Sequence, residues 1–231
     1  TLSTAGASTT MTIAAGTACD STNVAMMEVS TISKTTSAWA VGNAQGGLDT
    51  GAIANSTWYH FYAIRRPDTA TVDVTFSTNA TTPTLPANYT QYRRIGSGLT
   101  NGSGQWVAFT QDGDLFQLSV PVLETTSATP GTSAVTQTLA NVPTGVNVRA
   151  IFNASVAQTQ LVYFSDLATT DAAPSGTVAP LSALGMVGSG SNFPVTQQTV
   201  RTNTSAQIRY RSSVNGQVFI ATIGWTDTRG K

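Results

Sequence analysis

Apolar and polar residues alternate with period two along most of this chain. No stretch of about 12 residues holds helical spacing without a Thr or Gly interrupting it. The pattern predicts strands joined by turns. AQIRYRSS (206–213), Asn215-Gly216 and QVFIATIGW (217–225) read as one hairpin, because an Asn-Gly pair between alternating runs suits a type I′ turn. TWYHFYAIRR (57–66), Pro67-Asp68 and TVDVTFST (71–78) read as a second, and YTQYRRIGSGLT (89–100), NGSG and QWVAFTQ (105–111) as a third. Asp112-Gly113 supplies a tight turn before DLFQLSVPVL (114–123). In VNVRAIFNA (146–154), Val146, Val148, Ala150 and Phe152 share a face, and the evenly apolar TQLVYFSDL (159–167) reads as a central strand.

Turn clusters at intervals of roughly 8–12 residues predict an all-β chain, built as an antiparallel β-sandwich or jelly roll. ETTSATPGTS (124–133) is the best linker. It divides the chain into N-terminal and C-terminal β units, 1–122 and 123–231, although one long jelly roll gives the same pattern. A short helical turn fits VAPLSALG (178–185). No internal repeat or heptad emerges.

Composition strengthens the β reading. The 231 residues include 40 threonines and 22 serines, but only two lysines (Lys34, Lys231) and two glutamates (Glu28, Glu124). Such a mixture suits a pleated surface better than a helix. So many hydroxyls also fit disorder, but 18 aromatics and a mean hydropathy of +0.01 argue for a packed core.

Charge then excludes function classes. Eleven basic and eleven acidic residues cancel, and a pI near 6.5 lacks the basic footprint of a nucleic-acid partner. No run of 18 apolar residues predicts membrane insertion. Cys19 is alone, so no internal disulfide is expected. The start, TLSTAGASTTMTIAAGTA, has neither a basic region nor a sustained apolar stretch, so no signal peptide is expected there. The absent Met fits removal before a small residue or a start inside a longer chain.

Candidate chemistry is sparse. His60 lies within a strand and reads as structural, since a Ser/His/Asp site also needs a nucleophile turn and no G-x-S-x-G is present. One Cys and one His do not make a zinc site. Asp112-Gly113-Asp114 lacks the other ligands of a calcium loop and reads as a turn. Gly96, Gly98 and Gly102 read as a flexible β turn, because Asn101 replaces the third Gly of a dinucleotide loop and a strand follows. Glycoside hydrolysis needs two acids flanking one bond, and the acids here form no local group. No catalytic residue, metal or cofactor is therefore expected. Arg65-Arg66 and Arg93-Arg94 are the densest basic spots, with Asp68 and Asp73 placed to pair with the first. Six N-x-[ST] sequons, such as those at Asn55 and Asn153, follow from the Ser/Thr content.

One stretch goes beyond composition. GGLDTGAIANSTWYHFYAIRRPDTATVDVTFSTNATTPTLPANYTQYRRIGSGLTNGSGQWVAFTQDGD (46–114) resembles a segment of many tailed-bacteriophage and prophage proteins. Its features are LDTG, TWYH, PTLPANYT and RRIGS, and the terminal GWTDTRGK (224–231) is similar to their GWxDxRGR ending. The direct resemblance covers about a third of the chain. It implies a non-enzymatic β-structured virion protein of the tail or fibre kind, acting in assembly and host attachment. Its implied partners are copies of itself, with a trimer as one arrangement, and other virion proteins. It would be made in the host cytoplasm and carried on the particle surface.

Two alternatives stand beside it, a capsid decoration or head-fibre protein and a polysaccharide-degrading tailspike enzyme. If the chain grips a host surface glycan, Asn88, Tyr89, Gln91, Tyr92 and Arg93 are the expected contacts. Sugar faces stack on rings while amides and Arg bond hydroxyls. The plainer reading is that Tyr89 and Tyr92 begin a strand and pack.

Overall fold

The computed structural model describes residues 1–125, 129–157, 159–180, 183–188 and 194–229. Among them there are strands and turns and no α-helix. The fold is all-β, as the alternation predicts. The helical turn expected at 178–185 falls partly outside the described residues, and Leu184 in fact opens a strand. Contacts divide the chain into two units. One is Thr1–Ser119, rejoined by the C-terminal residues from Thr228, and the other is Val120–Asp227. The division thus comes three residues before the one read from sequence. The expected linker, 124–133, begins inside a strand that runs to Thr125, and 126–128 lie outside the described residues.

The first unit contains β1 (Leu2–Ser3), β2 (Thr10–Ile13), β3 (Gly16–Cys19), β4 (Met26–Val29), β5 (Ile32–Ala38), β6 (Gln45–Leu48), β7 (Trp58–Arg65), β8 (Val72–Ser77), β9 (Gln91–Leu99) and β10 (Phe109–Asp112). It also holds the start of β11 (Leu115–Thr125). A seven-stranded sheet runs β1-β2-β5-β6-β8-β7-β9, while β3 and β4 pair as a separate hairpin. The sheet is mixed, because β6 runs parallel to both β5 and β8.

β7 is buried along nearly its whole length because the sheet is covered on both faces. Tyr59 and Phe61 point to one side, where Phe76 and Trp106 lie at ring-centroid distances of 5.1–5.9 Å. Tyr62 and Ile64 point to the other and pack with Tyr89. Gly96 and Gly98 lie inside β9 and are not the flexible turn read from sequence. A Cβ on Gly96 would stand 2.6 Å from Leu2 Cδ1 and 3.2 Å from the Phe116 ring, so a larger residue there would force the buried Leu2 side chain to shift.

The second unit holds the rest of β11, then β12 (Val135–Thr138), β13 (Arg149–Val156), β14 (Leu161–Ser165), β15 (Leu184–Val187), β16 (Val195–Arg201), β17 (Gln207–Ser212) and β18 (Val218–Thr226). β11-β18-β13-β16 form one layer and β12-β17-β14-β15 the other. Phe152 from the first and Phe164 from the second meet at 5.4 Å, with Tyr210 beside Phe164 at 6.3 Å. Ala150, Phe152 and Ala154 are buried on alternate positions of β13, as the sequence alternation predicts. β14 lies between β15 and β17, which makes it the expected central strand.

Two hairpins form as read: β7 pairs β8 around Pro67-Asp68, and β10 pairs β11 around Asp112-Gly113, where Gly113 takes φ of 57°. Two do not. β17 and β18 flank Asn215-Gly216 yet belong to opposite layers of the sandwich. Neither residue takes the positive φ of a type I′ turn. Instead β17 pairs with β14 and β18 with β13, each strand burying its alternate residues against the other layer. Likewise β9 and β10 separate after a single Thr100–Trp106 bridge, and β9 pairs with β7.

Candidate functional site

The five residues expected to contact a glycan do not share one exposed face. Asn88 is exposed in a turn at φ 69°. Tyr89 follows but is only 5% exposed. Its ring meets Trp39 edge-on at 5.4 Å, and desolvation raises its hydroxyl pKa above the usual tyrosine value. Gln91 accepts a 2.6 Å hydrogen bond from Arg65. Tyr92 turns toward the Tyr62 ring at 6.0 Å, and its hydroxyl lies 3.3 Å from that of Thr82. The strand alternation of β9 separates these rings from Arg93, which faces a cavity. Tyr89 belongs to the apolar cluster with Tyr62 and Ile64, and Tyr92 packs against it.

The cavity is about 400 Å³ and lies wholly within the first unit. Three local devices shape it. First, the β7–β9 register slips by one residue, since Phe61 faces Gly96 while Tyr62 faces Arg94, leaving Ile95 as the extra residue of a bulge. A bulge re-aims side chains that would otherwise alternate. Arg93, Arg94 and Ile95 consequently all line the same space.

Second, the β3–β4 hairpin forms a wall through Thr17, Ala18 and Cys19. Asp20 locks its turn by accepting the backbone N–H groups of Thr22, Val24 and Ala25, and the Thr22 hydroxyl. These bonds favour the carboxylate and hold its pKa at about 2. Ser21 N–H then donates to the Tyr92 carbonyl at 2.8 Å, which fixes the hairpin against β9.

Third, the chain returns to this unit at its C-terminal end and delivers Arg229. The Arg229 guanidinium donates to the Gly113 carbonyl at 2.9 Å and pairs with Asp114. Gln111 completes this side, accepting from Leu2 N–H at 2.6 Å. The lining carries three arginines and no Asp or Glu.

Other sequence candidates fall elsewhere. His60 is 1% exposed, and its Nδ1 lies 3.0 Å from the hydroxyl of Ser97, which is itself fully buried. Arg94 also donates to that hydroxyl, at 3.3 Å. Arg66 pairs with Asp68 at 2.6 Å as expected, but Asp73 pairs with Lys34. Among the described residues no three His, Cys, Asp or Glu cluster as metal ligands, and no helix is long and apolar enough to cross a membrane. Cys19 is a free thiol with Sγ 3.2 Å from Met26 Sδ.

Sequence reasoning found Arg93 and Arg94 as a basic spot but missed the bulge at Ile95 and the arrival of Arg229. Gly96 was the available signal, because a glycine inside a strand often marks a bulge. Arg229 gave none, since 135 residues separate it from Arg94. Comparisons with protein-family models, with curated proteins and with solved structures find no match for this chain.

Proposed function

We propose that this chain is a structural protein of a tailed-phage particle, a tail or fibre component that serves assembly and host attachment rather than turnover. The observation that carries the reading is the use made of its few carboxylates. Asp20, Asp49 and Asp166 close turns by accepting backbone N–H groups. Asp73, Asp114 and Asp171 pair with basic side chains of their own unit. Glu124 ties Ala140 and Asn141 to Thr222. Ionisable groups so placed build a scaffold. Threonine-rich strands hydrate the outer faces with hydroxyls, and copies of the chain would cover the edges of the sheets.

Separating heads from tails of purified particles, then detecting the chain in each by mass spectrometry, tests this. The chain is expected in the tail fraction. Its confinement to tail-less heads would reassign it to capsid decoration. Its absence from particles, together with release of oligosaccharide by the pure protein, would overturn the proposal in favour of a depolymerase.

A further inference from the structure

Lys34 stands apart from the other cations of this chain. The sequence has nine arginines and two lysines, and Arg66, Arg209, Arg211 and Arg229 make their ion pairs with acids that water reaches. Lys34 instead lies fully buried, its Nζ 2.7 Å from Oδ1 of the equally buried Asp73. An arginine keeps its proton in a protein interior, whereas a lysine can give it up and become a nucleophile. The fold makes room for this contact. β6 lies between β5 and β8, and a Cβ on its Gly47 would stand 2.9 Å from Lys34 Cβ and 2.7 Å from Phe76 Cε1. Lys34 thereby crosses β6 to reach the acid on β8. Trp39 covers the contact, with Lys34 Nζ 5.5 Å from its ring centre.

The surrounding polar atoms hold both groups as amide formation needs them. Lys34 Nζ donates to the carbonyls of Ala40 and Gly42 at 2.8 and 3.0 Å. Once one proton passes to Asp73, these bonds occupy the two remaining N–H groups and leave the nitrogen lone pair for the carboxyl. Desolvation lowers the Lys34 pKa, in the direction of that neutral amine, while the Asp73 contact opposes the shift. On the acid, Gly42 N–H donates to Oδ2 at 2.8 Å and Val74 N–H to Oδ1 at 2.6 Å. Gly42 N–H is therefore in place to hold the negative charge that collects on Oδ2 during attack. Two reactants fixed in contact behave as if highly concentrated.

We propose that Lys34 and Asp73 condense into an amide that covalently joins β5 to β8. The Nζ–Cγ bond forms and the Cγ–Oδ1 bond breaks. Two of the three ammonium protons go to Oδ1, which leaves as water, and the third stays on the amide nitrogen. Oδ2 remains as the carbonyl oxygen. The two charges cancel, so the step needs no further reactant. Exclusion of water from side chains 0% and 2% exposed then protects the bond from hydrolysis. The ion pair is the state before closure. This chemistry lies inside one unit and does not rest on where the chain is found.

Mass spectrometry of the full chain, folded at neutral pH for several days and then denatured, tests the bond. The expected mass is lower than that of the sequence by one water. Trypsin should fail to cut after Lys34, and the fragment spanning Lys34 should be joined to the one carrying Asp73. Chain held unfolded in urea should keep its full mass, because the fold supplies the contact. Lys34→Arg and Asp73→Ala should each keep the full mass as well. Should either variant fold poorly, the tryptic map of the unaltered chain decides alone. A folded chain of undiminished mass would overturn the proposal. So would a one-water deficit mapped to Asp112-Gly113, since an Asp-Gly step loses the same water by cyclising on itself. Equal loss from folded and unfolded chain would overturn it too.

Discussion

In the first unit Lys34 and Asp73 meet at 2.7 Å with side chains 0% and 2% exposed, whereas in the second Asp171 holds Arg211 and Arg209 with 32% of its own side chain in solvent. The buried pair is fully furnished. Lys34 Nζ also donates to the carbonyls of Ala40 and Gly42 at 2.8 and 3.0 Å and sits 5.5 Å from the centre of the Trp39 ring. Asp73 accepts from Gly42 and Val74 N–H. The pair thereby fastens the β5–β6 connection against β8, and burial lowers the Lys34 pKa while the Asp73 contact opposes that shift. The Asp171 cluster stays partly in water, with Arg209 11% and Arg211 29% exposed. Two similar ion pairs thus have different consequences, because a charge removed from water must be satisfied completely and an exposed one need not be.

The largest effect should come from breaking the buried pair on one side. Lys34→Met leaves a buried carboxylate without its cation and is expected to cost about 3–5 kcal/mol, read from urea unfolding. Adding Asp73→Leu should restore most of that loss. A double variant as unstable as the single one would show that the orphaned charge is not the cause.

Next in size is a steric contrast between the units. Gly96→Ala pushes a methyl into Leu2 and should cost about 1–3 kcal/mol, while Gly176→Ala, whose nearest neighbour is Leu161 at 3.9 Å, should change melting little. Equal effects at both positions would contradict the packing described for β9.

Between these and the smallest effect lies the Asp20 turn. Its folded pKa of about 2 stands below the ordinary carboxylate value of 3.8, so the folded state binds fewer protons than the unfolded chain in that window. The stability it contributes is complete above about pH 5 and is lost as pH falls through 3.8 toward 2. Asp20→Ala should cost about 1–2 kcal/mol at neutral pH and flatten the acid limb of the stability profile. An unchanged acid limb would remove Asp20 as its source. Asp171→Asn should cost under about 1 kcal/mol, and added salt should erase the difference.

How far the sequence revealed this molecule depends on the range of the interaction. Pro67-Asp68 and Asp112-Gly113 announced real hairpins because a turn and its flanking strands are neighbours in the chain. Asn215-Gly216 announced a bend but not the partners of β17 and β18, which are chosen by burial of Ile208, Tyr210, Ile220 and Trp225 within the sandwich. The parallel β5–β6 and β6–β8 pairings leave no local mark either. At the candidate site the Arg93-Arg94 dipeptide was visible. Its cavity was not, since that space needs a slipped register, a hairpin fixed by Asp20 and a residue from the far end of the chain.

A reconstruction of the intact particle tests most directly whether this chain is a building block. Repeated copies of both β units on the outer surface of the tail are the expected result. A particle whose surface density is fully explained by other chains, with neither unit present, would contradict it.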